Sequence, residues 1–175
     1  MVELPNKTKI EESAFEECES LERICPEGEV WITGKLASSA FSGCGSLQSV
    51  IKITGKSIRD YAFYNCKKLK AIELPNGAKI SERAFENCES LKQISQEGEI
   101  WVAGKLEAGA FEGCSSLVTP IVVTGKMIPE RVFCGCRNLG VVYLPLDIKV
   151  SKDAFECCPA NRLLLSDLHA LKVLM

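Results

Sequence analysis

The stretch Ile80-Ser-Glu-Arg-Ala84-Phe85-Glu-Asn-Cys88-Glu-Ser-Leu91-Lys-Gln-Ile94 decides the architecture of this chain. Its apolar residues follow neither the 3.6-residue period of a helix nor the strict alternation of a strand. The same spacing returns around Ala14-Phe15, Ala40-Phe41, Ala62-Phe63, Ala110-Phe111 and Ala154-Phe155, with Val132-Phe133 as a variant. The steps along the chain are 26, 22, 22, 26, 22 and 22 residues. Four residues before each unit's Ala or Val comes Ile, Leu or Val, and four after it comes Cys18, Cys44, Cys66, Cys88, Cys114, Cys136 or Cys158. Seven after, in the first six units, comes Leu21, Leu47, Leu69, Leu91, Leu117 or Leu139, and three further on a branched aliphatic, Pro120 alone excepted. A second period of 70 residues lies over the first: Glu27-Gly-Glu-Val-Trp-Ile returns as Glu97-Gly-Glu-Ile-Trp-Val, so a three-unit block is duplicated.

One such unit cannot bury its own apolar side. Stacked units can, each touching only its neighbours, so a fixed period of this length predicts a solenoid. The segment Leu69-Lys-Ala-Ile72-Glu-Leu74 alternates as a strand does, with Ile72 and Leu74 on one face and Ala71 and Glu73 on the other. Pro75 and Pro145 end such strands. Parallel pairing of neighbouring coils at about 4.8 Å predicts a seven-rung ladder. Across the coil, the small Ala, the large Phe and the small Cys are expected to stack as inward ladders, with the seven cysteines as thiols. Cys25, Cys134 and Cys157 fall off that ladder and are expected to be the reactive ones.

The pattern Ile-x3-Ala-Phe-x2-Cys-x2-Leu-x2-Ile-x-Leu-Pro resembles the BspA-type (treponemal-type) leucine-rich repeat over essentially the whole chain. The 26-residue coils and the missing Ile-Gly before Ala-Phe depart from that pattern. The resemblance implies an α/β-type repeat solenoid. It would be a right-handed coil with a parallel β-sheet on one face and short strands, loops and turns on the other. Residues 1–175 are read as one domain of about seven coils, with 159–175 as a C-terminal cap ending in a short helix behind Ser166. The resemblance also implies a non-catalytic interaction or adhesion scaffold. The alternative is a structural spacer within a longer protein. The chain opens inside a repeat, Val2–Pro5 aligning with Ile72–Pro75, so a fragment of something longer is expected.

Composition narrows the classes further. Of 175 residues, 46% are hydrophobic and 25% charged, ordinary for a globular protein. A net charge of −2 gives no reason to expect nucleic acid. No apolar run is long enough for membrane insertion. Met1-Val-Glu-Leu-Pro-Asn-Lys lacks the basic and apolar regions of a signal peptide. Reduced thiols and that absence favour the cytoplasm, whereas the resemblance allows a cell surface. A monomer is expected.

No catalytic, cofactor or metal site emerges. Gly55-Lys56-Ser57 lacks the first glycine of a phosphate loop, that place being Val50. Cys134-x-Cys136 and Cys157-Cys158 would lie on adjacent coils, but Cys136 and Cys158 belong to the inward ladder, against zinc. His169, the only histidine, sits in the terminal segment and reads as an exposed helix residue rather than the base a catalytic cysteine needs. The recurring glutamates, Glu16, Glu86 and Glu112 among them, read as solvated outer-side charge. Asn6-Lys7-Thr8 is a glycosylation sequon.

Candidate partner contacts come from strand alternation. Trp31 and Trp101 each sit between β-branched residues and share a face with Glu29 and Glu99. The carboxylates make that face the wetter one, so both rings are expected to be partly exposed, the alternative being that each ring folds over the outer arc and covers the inserted strand. The further candidate contacts are Arg23, Ser49, Ala71, Glu73, Gln93, Ser95, Thr119, Val141 and Tyr143.

Overall fold

The computed structural model describes residues 8–24, 30–96, 101–159 and 163–166. Its strands in chain order are β1 (Val30–Ile32), β2 (Ile51–Ile53), β3 (Ser57–Ile58), β4 (Ile72–Glu73), β5 (Lys79–Ile80), β6 (Trp101–Ala103), β7 (Ile121–Val123), β8 (Met127–Ile128), β9 (Val142–Pro145), β10 (Lys149–Val150) and β11 (Leu163–Ser166). Every pairing among them is parallel and joins one coil to the next. Ile72 and Leu74 point inward as the alternation requires. β11 lies where the last strand was expected, around Leu163–Leu165. The terminal helix behind Ser166, His169, Cys25 and Asn6 all lie outside the described residues.

The α part of the expected α/β class is not found: among the described residues there is no helix. Backbone conformation explains this. Each of the first six arcs carries two left-handed residues four apart, such as Tyr61 and Asn65, Arg83 and Asn87, or Gly109 and Gly113, and the last carries one, Cys157. Such residues interrupt any helical run. Turn bonds remain, Cys88 N–H to the Phe85 carbonyl (3.2 Å) among them. Other arc amides reach across to the next coil: Tyr61 N–H to the Glu82 carbonyl (3.0 Å), Phe63 N–H to Ala84 (2.8 Å) and Asn65 N–H to Glu86 (2.9 Å). The arc is thus a third inter-coil ladder built from turns.

Inside, the phenylalanines form one continuous stack from Phe15 to Phe155, centroids 5.2–5.8 Å apart and planes within 16° of parallel. The cysteine ladder has its own chemistry. Each thiol from Cys44 to Cys158 donates to the carbonyl of the previous coil's Phe, at 2.8–3.1 Å. Cysteine suits the place because it is small and apolar and carries one weak donor for the second lone pair of a carbonyl that already accepts a turn amide of its own coil. Burial, reinforced by the neighbouring thiol, pushes Cys44 up to about 12 and Cys66 and Cys88 well above the usual thiol value. Of the off-ladder pair, Cys157 is exposed. Cys134 is half-buried and its thiol is raised, mainly by burial, which works against the reactivity expected of it.

The main ladder is not continuous. β1, β2 and β4 form one sheet, and β6, β7, β9 and β11 another. The break follows from the second 26-residue coil. Ile72 N–H still bonds the Gln93 carbonyl (3.0 Å) and Leu74 N–H the Ile94 carbonyl (3.2 Å). Ile94 N–H, however, turns to the Thr119 hydroxyl (3.1 Å). β6 then begins further along the same coil and pairs with β7 alone.

Candidate functional site

The outer face of the first sheet carries a row set by parallel register: Trp31 beside Lys52, and Lys52 beside Glu73. Ile32, Ile51 and Ile53 fill the core beneath it. Lys52 Nζ lies 5.3 Å from the centre of the Trp31 ring and 3.1 Å from a Glu73 carboxylate oxygen. One ammonium therefore ties an indole and a carboxylate on adjacent strands. Both charged side chains are well screened from water, at 16% and 24% exposure, which favours a pair stronger than a fully solvated one. Trp31 itself is 42% exposed. Beyond the strand ends the row opens into a shallow depression of about 400 Å³, edged by Pro75, Asn76, Ser95 and Gln96.

Of the residues expected to make contacts, Trp31, Glu73 and Ser95 come together here. Ala71 and Gln93 lie side by side on adjacent coils, each half-buried. Arg23 is exposed, and Val141 is half-buried with its backbone carbonyl taken by Ile121 N–H. Tyr143 lies on the other sheet, in register with Val122 and Leu164. Ser95 is itself buried, at 9% exposure, and three further expectations are overturned. Trp101 is fully buried. Its indole N–H donates to the Pro75 carbonyl (3.4 Å), and its ring meets Phe111 edge-on at 6.0 Å. Ser49 and Thr119 are buried as well, at 8% and 4% exposure, because their hydroxyls accept the Ile24 and Ile94 amides at 3.1 Å.

Those two hydroxyls also explain why Lys52 was missed. Taking a hydroxyl inward at Ser49 or Thr119 adds one residue before the strand. The inward residues are then Ile51 and Ile121 rather than Val50 and Pro120. Val50, which satisfies the repeat pattern, is an exposed residue. The signal was Pro120, which looked like a lone exception and in fact marks the shifted position in both coils. Among the described residues, no group of three or more His, Cys, Asp or Glu is placed to hold a metal ion.

A family model described as the BspA type leucine rich repeat region matches the chain in six copies, over residues 1–101 and 34–162. Among solved structures, the chain is similar to a leucine rich repeat protein of T. pallidum. The identity is 25% and the TM-score 0.66, with 95% of this chain and 75% of that one covered. It is also similar to a leucine rich cell surface protein from Faecalibacterium prausnitzii, at 20% identity and a TM-score of 0.41, covering 84% of this chain and 54% of that one. No curated protein sequence matches.

Proposed function

The chain belongs to the BspA-type leucine-rich-repeat family, and from that premise we propose that it is a repeat scaffold whose first sheet docks a protein or glycan at Trp31, Lys52 and Glu73. The observation that carries this reading is Trp31. Among the described residues it is the only aromatic side chain left exposed, and it sits on a strand paired with β2. A half-exposed indole offers a large apolar face with a polar edge, the residue type that dominates binding energy where interfaces are measured. Lys52 and Glu73 hold each other in place beside it, so the partner meets groups already oriented. The shallow, open depression suits the flank of a polymer better than an enclosed small molecule.

The test is a panel of immobilised glycans and extracellular proteins probed with the wild-type chain, Trp31→Ala and Lys52→Ala. The proposal expects a binder whose retention falls at least about tenfold in Trp31→Ala, the loss typical of a hot-spot aromatic, at unchanged melting temperature. A binder held equally by all three would place the contact elsewhere. A chain that holds nothing on the panel would favour the spacer reading.

A further inference from the structure

A second surface, a turn away from Trp31, is charged rather than aromatic. The residue just before the aliphatic that precedes each unit's Ala or Val by four is Lys9, Lys35, Ser57, Lys79, Lys105, Met127 and Lys149 in turn. Bridge and strand registers put Lys35 beside Ser57, Ser57 beside Lys79 and Lys79 beside Lys105. Where serine interrupts the row, Lys56 precedes it and Arg59 follows. A shallow depression of about 500 Å³ runs along this row. Among the described residues it is lined by five cations, Lys35, Lys56, Arg59, Lys79 and Lys105, against the single carboxylate Glu107. Glu107 is already bonded to Lys105 at 2.8 Å. Among the described residues, the other four cations form no ion pair.

The arrangement is costly for the fold by itself. Like charges on adjacent strands repel, and Lys79 and Lys105 stand one coil apart, about 5 Å by strand spacing. Stacking does not require lysine, since Ser57 and Met127 fill the same place in other coils. A chain of net charge −2 has thus gathered an excess of four positive charges (five cations less Glu107) along one line.

We propose that this ledge binds a linear sulfated polysaccharide laid along the solenoid axis. The cations recur at the coil spacing, so they meet a polymer that carries anionic groups along its length. Lysine ammoniums serve as point charges toward sulfates, and Arg59 adds a planar fork. Ser57 and Ser81, half-buried between the cations, offer hydroxyl donors. Nucleic acid fits less well: among the described residues, no aromatic side chain lines the depression to stack bases. No helix among the described residues is available to enter a major groove either. The ledge is independent of the Trp31 surface, and the two readings can fail separately.

Calorimetric titration of the full chain with a heparin oligosaccharide tests the proposal. Three variants accompany it: Lys35→Gln/Lys56→Gln/Lys79→Gln/Lys105→Gln, a control of equal charge change at Lys67, Lys68, Lys70 and Lys92, and Trp31→Ala. Binding is expected at low salt, weakening steeply as salt rises because each engaged cation releases counterions. The ledge variant should bind at least about tenfold more weakly at unchanged melting temperature, and the control and Trp31→Ala within about twofold of wild type. No binding by the wild type, equal loss in ledge and control variants, or undiminished binding of the desulfated oligosaccharide would overturn the proposal. Tighter binding of single-stranded DNA of matched charge would overturn it in favour of nucleic acid.

Discussion

β1 and β6 are copies of one another, 70 residues apart, and they face opposite ways. In β1, Trp31 pairs with Lys52 and lies on the outer face. In β6, Trp101 pairs with Ile121 and lies in the core. Had the copies kept one register, Trp101 would pair with Val122. A slip of one residue exchanges the two faces of a strand, and here it turns one indole into contact surface and the other into core. The residues that differ between the copies account for the choice. The β6 register buries Ala103 completely, whereas its counterpart Thr33 would carry a hydroxyl into the same apolar place. In the first copy, Ile32 fills the core instead and Thr33 stays half-buried. The extra residue between Ile32 and Leu36 is absorbed at Gly34, whose φ of 82° only glycine adopts without strain. In the second copy, Gly104 keeps ordinary φ but approaches the previous coil so closely that a Cβ would sit 2.4 Å from the Gly77 carbonyl oxygen. The same tripeptide position thus needs glycine for two different reasons.

The comparison can be broken most easily at the tryptophans themselves. Trp101→Ala should cost about 3–5 kcal/mol, as large cavities in a core do. Trp31→Ala should cost no more than about 1 kcal/mol, in the range of partly exposed sites. Denaturant melts of the two variants check this, and equal losses would mean that the copies share one register. Next in size is the hydroxyl that bends the chain. Thr119→Val leaves the buried Ile94 amide without its acceptor and should cost about 1–3 kcal/mol. Ser49→Ala should do the same to Ile24, nearer the end of the stack, and a neutral result at both would contradict the account of the ladder break. Ala103→Thr places a hydroxyl in the core and should also destabilise by about 1–3 kcal/mol, while Thr33→Ala should be close to neutral.

The smallest expected effect concerns two glutamates that are likewise 70 residues apart. Glu16 is exposed, whereas Glu86, expected to be solvated, is only 9% exposed and has one carboxylate oxygen with no hydrogen-bond partner. Burial first, and then the Glu112 carboxylate, raises the Glu86 pKa against the opposing pull of Arg83 and Arg131. Above the folded value the group is ionised in both states and its burial penalty is complete. Below the ordinary carboxylate value it is neutral in both, and the penalty vanishes. The cost therefore grows as pH rises from the ordinary value through the raised one. Glu86→Gln should stabilise by a few tenths of a kcal/mol at neutral pH and lose that advantage in acid. Glu16→Gln, at an exposed position, should change stability by less than about 0.5 kcal/mol in thermal melts at neutral pH.

Much of this architecture was legible because the repeat is enforced by packing. A Phe stack and a thiol ladder tolerate little variation, so Phe15 to Phe155 and Cys44 to Cys158 announce themselves. The register of each strand was less legible. Val50 met the repeat rule while Ile51 did the work, because a serine hydroxyl, invisible to a hydrophobic pattern, bends the chain just before it. Lys52 went unnoticed for the same reason, and with it the group that anchors the Trp31 surface. Reading Glu29 and Glu99 as wet placed Trp31 correctly and Trp101 wrongly, since alternation within a strand says which residues share a face but not which face is inward. The turn-built arc was hidden because its left-handed positions are occupied by Ser, Glu, Tyr, Asn and Arg as well as glycine.

Tryptophan emission from two single-tryptophan proteins, Trp31→Phe and Trp101→Phe, puts the register difference to its most direct test. The protein that keeps only Trp101 should emit at short wavelength and resist acrylamide quenching. The one that keeps only Trp31 should emit further to the red and quench readily. Matching spectra and matching quenching constants for the two rings, shielded or open alike, would contradict the account, because copies in one register must present both indoles to the same side.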